Sequence, residues 1–133
     1  MTKSFVDTNI FIYSLFPVDP KKHAACLALF EKAQRGDESL WTTEWVISEL
    51  VWLLGRMKKS TTEIKDIIEN TISTKGLEVR NLHIIQEALR IWSGKVEFID
   101  AMNIAMCVDE EVTRGYTYDK EFDTVPRFTR LVP

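Results

Sequence analysis

A single charged residue interrupts the first apolar stretch of the chain, Ser4-Phe5-Val6-Asp7-Thr8-Asn9-Ile10-Phe11-Ile12-Tyr13. A carboxylate with apolar residues on both sides is costly unless it is paired, hydrogen-bonded or bound to a cation. Thr8 and Asn9 follow at once, a polar pair that does not open a plain core strand. The break predicts that Phe5-Val6 ends a buried strand and that a short helix starts near Asn9. Asp7 then stands at the carboxyl end of a strand, where open α/β sheets place their ligand sites. An Asp at such a junction also makes an ordinary helix cap, and this stretch alone leaves both readings open.

The rest of the chain alternates helical and strand-like patterns. Asp19-Pro20 has the cap and first-turn proline of a helix that runs through Leu27 and Phe30 to Arg35-Gly36. His23 lies at its start and reads as a solvated surface residue. Leu40-Trp41-Thr42 is a short strand, and Thr43 caps a helix from Glu44 to about Met57. That helix carries Trp45, Val46, Ile47, Leu50, Val51, Trp52, Leu53 and Leu54, apolar around almost its whole circumference, which predicts burial on more than one side. Ser60-Thr61-Thr62-Glu63 has the spacing of a capping box and opens a helix with Ile64, Ile67, Ile68 and Ile72 on one face. Leu77-Glu78-Val79 alternates as a strand does, and Asn81 is placed to cap the next helix. Gly115 to Asp119 reads as a strand ending in an acid, and Phe128 to Val132 as a last strand. Short strands separated by helices imply a parallel sheet covered on both faces.

Three further acids stand in unusual places. Glu49 lies in the middle of the most apolar helix, where it is either a buried carboxylate in need of a cation or donor, or the occupant of a narrow solvent stripe. Asp100 stands at the start of a helix that is otherwise apolar except for Asn103, and residues three apart share a helix face. Capping is the alternative for Asp100. Asp119 follows Thr117 at the end of a strand, with Glu121 and Asp123 nearby as competing acids. In an α/β sandwich the carboxyl ends of the strands share an edge, where Asp7, Glu49, Asp100 and Asp119 could converge. Carboxylates so gathered repel one another unless some are protonated or divalent cations are present. All-oxygen ligation suits Mg²⁺ or Mn²⁺, and no Cys/His set suited to zinc is present. Such ions can activate a water and stabilise the leaving oxygen of a phosphodiester.

The bulk composition sets limits on this reading. A chain of 133 residues suits one domain, here 1–133. The formal net charge of −3 gives no global basic signal for nucleic acid, though it leaves room for a local basic patch. Cys26 and Cys107 each sit inside an apolar helical pattern and read as reduced thiols. Asp7 and Asn9 spoil the N-terminal stretch as a signal peptide. No apolar run approaches the roughly 20 residues that span a bilayer. These features predict a soluble cytoplasmic protein without a membrane partner.

Phe5-Val6-Asp7-Thr8-Asn9, Ser48-Glu49-Leu50, Phe98-Ile99-Asp100-Ala101 and Thr117-Tyr118-Asp119-Lys120-Glu121-Phe122 resemble, in order, the motifs of PIN-domain ribonucleases. They are most similar to those of the VapC-type toxins of toxin–antitoxin pairs. The resemblance covers nearly the whole chain. Its first motif is the most specific, and the motif around Glu49 the least.

The resemblance implies a PIN-like three-layer α/β sandwich, with a central parallel sheet of about five strands in the order 3-2-1-4-5 and helices on both faces. It implies a Mg²⁺- or Mn²⁺-dependent endoribonuclease. Asp7 and Asp100 would be the principal metal ligands, Glu49 would complete the site, and Asp119 would hold a second ion or its water. Thr8, Asn9 and Thr117 would support the carboxylates, and helix spacing adds Asn103 to them. It also implies an RNA substrate, a homodimer and a cognate antitoxin protein. The helix of Trp45 and Trp52, with the Ile-rich helix after it, is expected to serve a dimer or antitoxin contact, unless these residues simply fill the core. Arg56, Lys58, Lys59, Lys120, Arg127 and Arg130 are candidate phosphate contacts. Two other readings remain. One is a Mg²⁺-dependent phosphohydrolase with a nucleophilic Asp, although such enzymes usually show Asp-x-Asp and this chain has Asp7-Thr8-Asn9. The other is a non-catalytic module that binds RNA or protein, for which keeping four acids has no evident reason.

Overall fold

The computed structural model describes residues 2–133. Two compact units divide the chain, Met1–Leu82 and His83–Pro133, each with its own parallel ladder.

The first unit runs β1 (Lys3–Phe5), α1 (Thr8–Leu15), α2 (Pro20–Gln34), β2 (Ser39–Thr42), α3 (Glu44–Arg56), α4 (Thr61–Ile72) and β3 (Leu77–Val79). The strands pair in the order β1-β2-β3, with Phe5 opposite Trp41 and Trp41 opposite Glu78. Parallel neighbours cannot be joined by a tight turn, and the intervening helices make the crossovers. The carboxyl ends of the strands are tied through Thr42. Its hydroxyl donates to the Val6 carbonyl at 2.9 Å, and its carbonyl accepts from the Arg80 N–H at 3.0 Å. This edge carries Asp7 and the start of α3.

The helix starts follow their local signals. Asp19 accepts from the Lys22 N–H with Pro20 in the first turn, Thr43 accepts from the Val46 N–H, and Ser60 and Glu63 form a reciprocal capping box. Ile47, Leu50 and Leu54 of α3 and Ile64, Ile68 and Ile72 of α4 are buried. Those three isoleucines of α4 therefore belong to the core, while Ile67 is half-buried and lines a surface pocket with Leu15 and Leu27. Gly76 lets β3 begin. It has φ +87°, and an added Cβ would lie 2.2 Å from the Ala33 carbonyl oxygen.

Two local expectations are corrected here. Phe5 is 57% exposed, and burial begins at Val6, because β1 is the outer strand of its ladder. Asn81 does not act as a helix cap. It has φ +54°, in the left-handed region that Asn tolerates, and its side-chain amide turns to Glu44.

The second unit contains α5 (Leu82–Ile91), α6 (Phe98–Asp109), β4 (Arg114–Tyr116), a short 3₁₀ turn (Lys120–Thr124) and β5 (Thr129–Leu131). β4 and β5 are parallel, with Gly115 opposite Arg130. Phe98, Ala101, Met102, Ile104 and Ala105 bury one side of α6, and the Trp92 ring meets Phe98 edge-on. The expected five strands are present and all parallel, but they form two ladders, 3-2-1 and 4-5, where one continuous sheet was expected.

Both cysteines are free, and burial pushes the Cys26 thiol above its ordinary value. His23 is half-buried rather than solvated, with Nδ1 2.7 Å from the Tyr13 carbonyl oxygen. Among the described residues no helix is long and apolar enough to cross a membrane.

Candidate catalytic acids

In the first unit the chain leaves β1, buries Val6 and turns at Asp7, which is exposed. Asp7 is the cap of α1, its Oδ1 accepting from the Thr8 N–H at 2.7 Å. That bond engages one of the two carboxylate oxygens. The Thr8 side chain is 3% exposed, and its hydroxyl has no hydrogen-bond partner. It is the Thr8 backbone, then, that steadies the carboxylate, and not its hydroxyl. Asn9 is exposed in the first turn of α1.

Glu49 lies on the solvent side of α3. The expectation that α3 is buried around most of its circumference is corrected by Trp45 and Trp52, exposed at 64% and 59%. The cause is the helical repeat. Residues 44, 47, 51 and 54 form the buried stripe, and residues 45, 49, 52 and 56 fall opposite it. The buried acid of α3 is thus Glu44, 3% exposed, which accepts from the Asn81 side-chain amide at 3.1 Å and has the Arg80 guanidinium 3.8 Å away. Sequence reasoning passed over Glu44. Its signal was its place three residues before Ile47 and seven before Val51.

In the second unit Asp100 stands in the first turn of α6, half-buried, and Glu97 at the cap position makes no side-chain cap bond. Burial first, then the negative charges of Asp119 and Glu97, raise the Asp100 carboxyl above its ordinary value. The structure thus brings Asp100 and Asp119 into one electrostatic neighbourhood. Asn103 is exposed one turn further along α6.

Asp119 is held by its backbone. Its N–H donates to the Thr117 hydroxyl at 3.0 Å, and its Oδ1 accepts from the Glu121 N–H at 2.9 Å. Thr117 therefore fixes the turn that presents Asp119 without touching the carboxylate. Arg130 separates the competing acids. Its guanidinium donates to both oxygens of Asp123, at 3.0 and 3.3 Å, and to the Thr117 carbonyl. Asp123 is consumed by that pair, and Arg130 is engaged inside the protein and not free as a phosphate contact.

Carboxylates that crowd one another favour a divalent cation, and an all-oxygen donor set matches Mg²⁺ or Mn²⁺. Among the described residues no three His, Cys, Asp or Glu side chains form a ready metal group. Mg²⁺ does not require one, since it is usually held by one or two carboxylates together with waters and substrate phosphates. In the second unit, the carboxylates of Asp100 and Asp119 have donor chemistry that suits such an ion.

A family model described as the PIN domain matches residues 4–127. No curated protein sequence matches the chain. Among solved structures the chain is similar to the crystal structure of VapC20 from Mycobacterium tuberculosis, a sarcin–ricin loop cleaving toxin. The identity is 17% and the TM-score 0.38, over 99% of this chain and 100% of that one.

Proposed function

The chain belongs to the PIN domain family, and on that premise we propose that it is a Mg²⁺- or Mn²⁺-dependent endoribonuclease, one domain over 1–133, acting as the toxin of a VapBC-type toxin–antitoxin module. The observation that carries the proposal is that the matched span, 4–127, contains all four motif acids, Asp7, Glu49, Asp100 and Asp119. The raised Asp100 carboxyl, pushed up first by burial and then by the negative charges of Asp119 and Glu97, supports it, because a bound cation favours the ionised form.

In this proposal Asp7 and Asp100 are the principal ligands, with Glu49 and Asp119 completing the acidic centre. When bound, a divalent cation supplies the positive charge that favours an attacking hydroxide and a departing alkoxide at a phosphodiester. The chain's own residues supply position. The Thr8 N–H holds one oxygen of Asp7, and the other has no hydrogen bond among the described residues. The Thr117 hydroxyl and the Glu121 N–H set the turn that presents Asp119. Arg130 neutralises Asp123 and so keeps a further negative charge out of competition.

A cognate antitoxin, a homodimer and a cytoplasmic setting are proposed on the likeness of the motifs to VapC-type toxins. The test is incubation of the pure protein with single-stranded and structured RNA. Cleavage is expected in Mg²⁺ or Mn²⁺, is lost in EDTA, and is abolished by Asp7→Asn or Asp100→Asn with folding retained. Cleavage that persists in Asp7→Asn overturns the assignment.

A further inference from the structure

The solvent side of α3 has an unusual composition. Trp45, Glu49, Trp52 and Arg56 follow one another at intervals of four, three and four residues, which places them along one helix face. Both indoles are mostly exposed. The guanidinium of Arg56 lies over the Trp52 ring, 5.0 Å from its centroid. The helix ends at Arg56, so the aromatic face ends in a positive charge, while the ammonium of Lys59 lies over the Phe16 ring.

An aliphatic docking face would carry Leu, Ile or Val at these positions. This one carries two flat π-surfaces with a carboxylate between them and a cation beyond. A second copy of the chain packed here would have to desolvate Glu49. A single nucleic-acid strand has matching chemistry: bases that stack on indoles, and phosphates that meet Arg and Lys. Two indoles seven residues apart on a helix are separated by roughly 10 Å along its axis. Stacked nucleotides rise about 3.4 Å each, so the two rings span a few nucleotides.

We propose that the exposed face of α3 is a base-stacking surface for an unpaired RNA strand, with Trp45 and Trp52 each receiving a base and Arg56 a backbone phosphate. The strand then crosses Glu49, between the two rings. This inference rests on the ribonuclease reading and adds to it the state of the substrate, single-stranded with bases free to stack, and the residues that grip it. Trp45, Trp52 and Arg56 are binding residues and take no part in bond breaking.

Binding and cleavage are measured separately. A fluorescein-labelled single-stranded oligoribonucleotide is titrated with protein in EDTA, and binding is followed by anisotropy and by quenching of tryptophan emission. The duplex of the same sequence serves as comparison. The expected result is preference for the single strand, with Trp45→Ala and Trp52→Ala each weakening it roughly 5- to 100-fold. Trp45→Phe and Trp52→Phe should recover part of the loss. Both rings are exposed, so melting temperatures should stay near that of the parent. Unchanged affinity in both alanine variants overturns the inference, even where Mg²⁺-dependent cleavage persists and the ribonuclease reading stands. A parent that sediments as a dimer, with alanine variants that are monomeric and bind RNA equally well, also overturns it and gives the face to a second copy. Trp-dependent binding of the single strand without cleavage in any metal would keep the surface and remove the ribonuclease reading.

Discussion

The side-chain amide of Asn81 donates to the carboxylate of Glu44 at 3.1 Å, joining the turn after β3 to the first residue of α3. The second oxygen of Glu44 is buried without a hydrogen bond. Removing the amide leaves a buried carboxylate still poorer in donors. Asn81→Ala is therefore expected to destabilise the protein by about 1–3 kcal/mol, and Glu44→Gln to be much milder, since a glutamine carbonyl still accepts from Asn81. Denaturant unfolding of both variants checks the order. Equal stability of Asn81→Ala and the parent would remove the amide from any supporting role.

Asp119 and Asp123 lie four residues apart but have different partners. Arg130 grips both oxygens of Asp123, and Asp119 is met only by backbone N–H. Asp119→Ala is expected to reduce RNA cleavage by about 100-fold or more, at least the effect of losing a residue that supports a ligand. Asp123→Ala should mainly lower the melting temperature. A larger loss of activity in Asp123→Ala would reverse the two roles.

Asp100 provides a test with a definite sign. Its carboxyl is raised by burial, Asp119 and Glu97, so the ionised form is less favourable in the folded chain than in the unfolded one. The carboxylate therefore opposes folding at neutral pH. That penalty fades as pH falls through the raised folded value and is gone below the unfolded one, where both states are protonated. In metal-free buffer Asp100→Asn should melt above the parent at neutral pH and lose this advantage in acid, while its cleavage activity disappears. Parallel thermal melts across the pH range are the measurement, and a variant less stable than the parent at pH 7 would contradict the argument.

Gly76 meets two restrictions at once, a positive φ and the Ala33 carbonyl. Gly76→Ala must shift backbone atoms, which side-chain adjustment cannot relieve. It is expected to destabilise the protein by more than about 2 kcal/mol. Gly94→Ala, with open space around it and no positive φ, should be close to neutral. Chemical denaturation of the pair isolates the close approach.

The features legible in the sequence were those set by a few neighbouring residues. Asp19-Pro20, Thr43 and Ser60 with Glu63 announced their helices because a cap bonds to a backbone N–H two or three residues on. β3 and the turn from strand to helix at Asp7 were visible for the same reason. The orientation of α3 was not. A helix apolar almost all round does not reveal which of its sides faces water, so Trp45 and Trp52 were open to either fate and Glu44 escaped notice. Asn81 looked like a cap because the sequence does not show that its backbone would enter the left-handed region, at φ +54°, instead of the extended conformation of a cap. Nor could the acids after β4 be ranked, because the register of β5 is what brings Arg130 to Asp123.

The parallel pairing of β4 with β5 also bears on synthesis. The Thr117 N–H donates to the Leu131 carbonyl at 3.1 Å, so the segment that presents Asp119 is moored to residues translated after it. The ladder of the first unit is complete once Val79 has been made. A ribosome that has passed the first two motif acids thus still carries a chain whose last acid lacks its anchor. Release of a product stopped before β5 should yield a protein with a formed sheet but no cutting activity. On the ribonuclease reading, that order of assembly would shield the translation machinery from its own nascent product until β5 has been made.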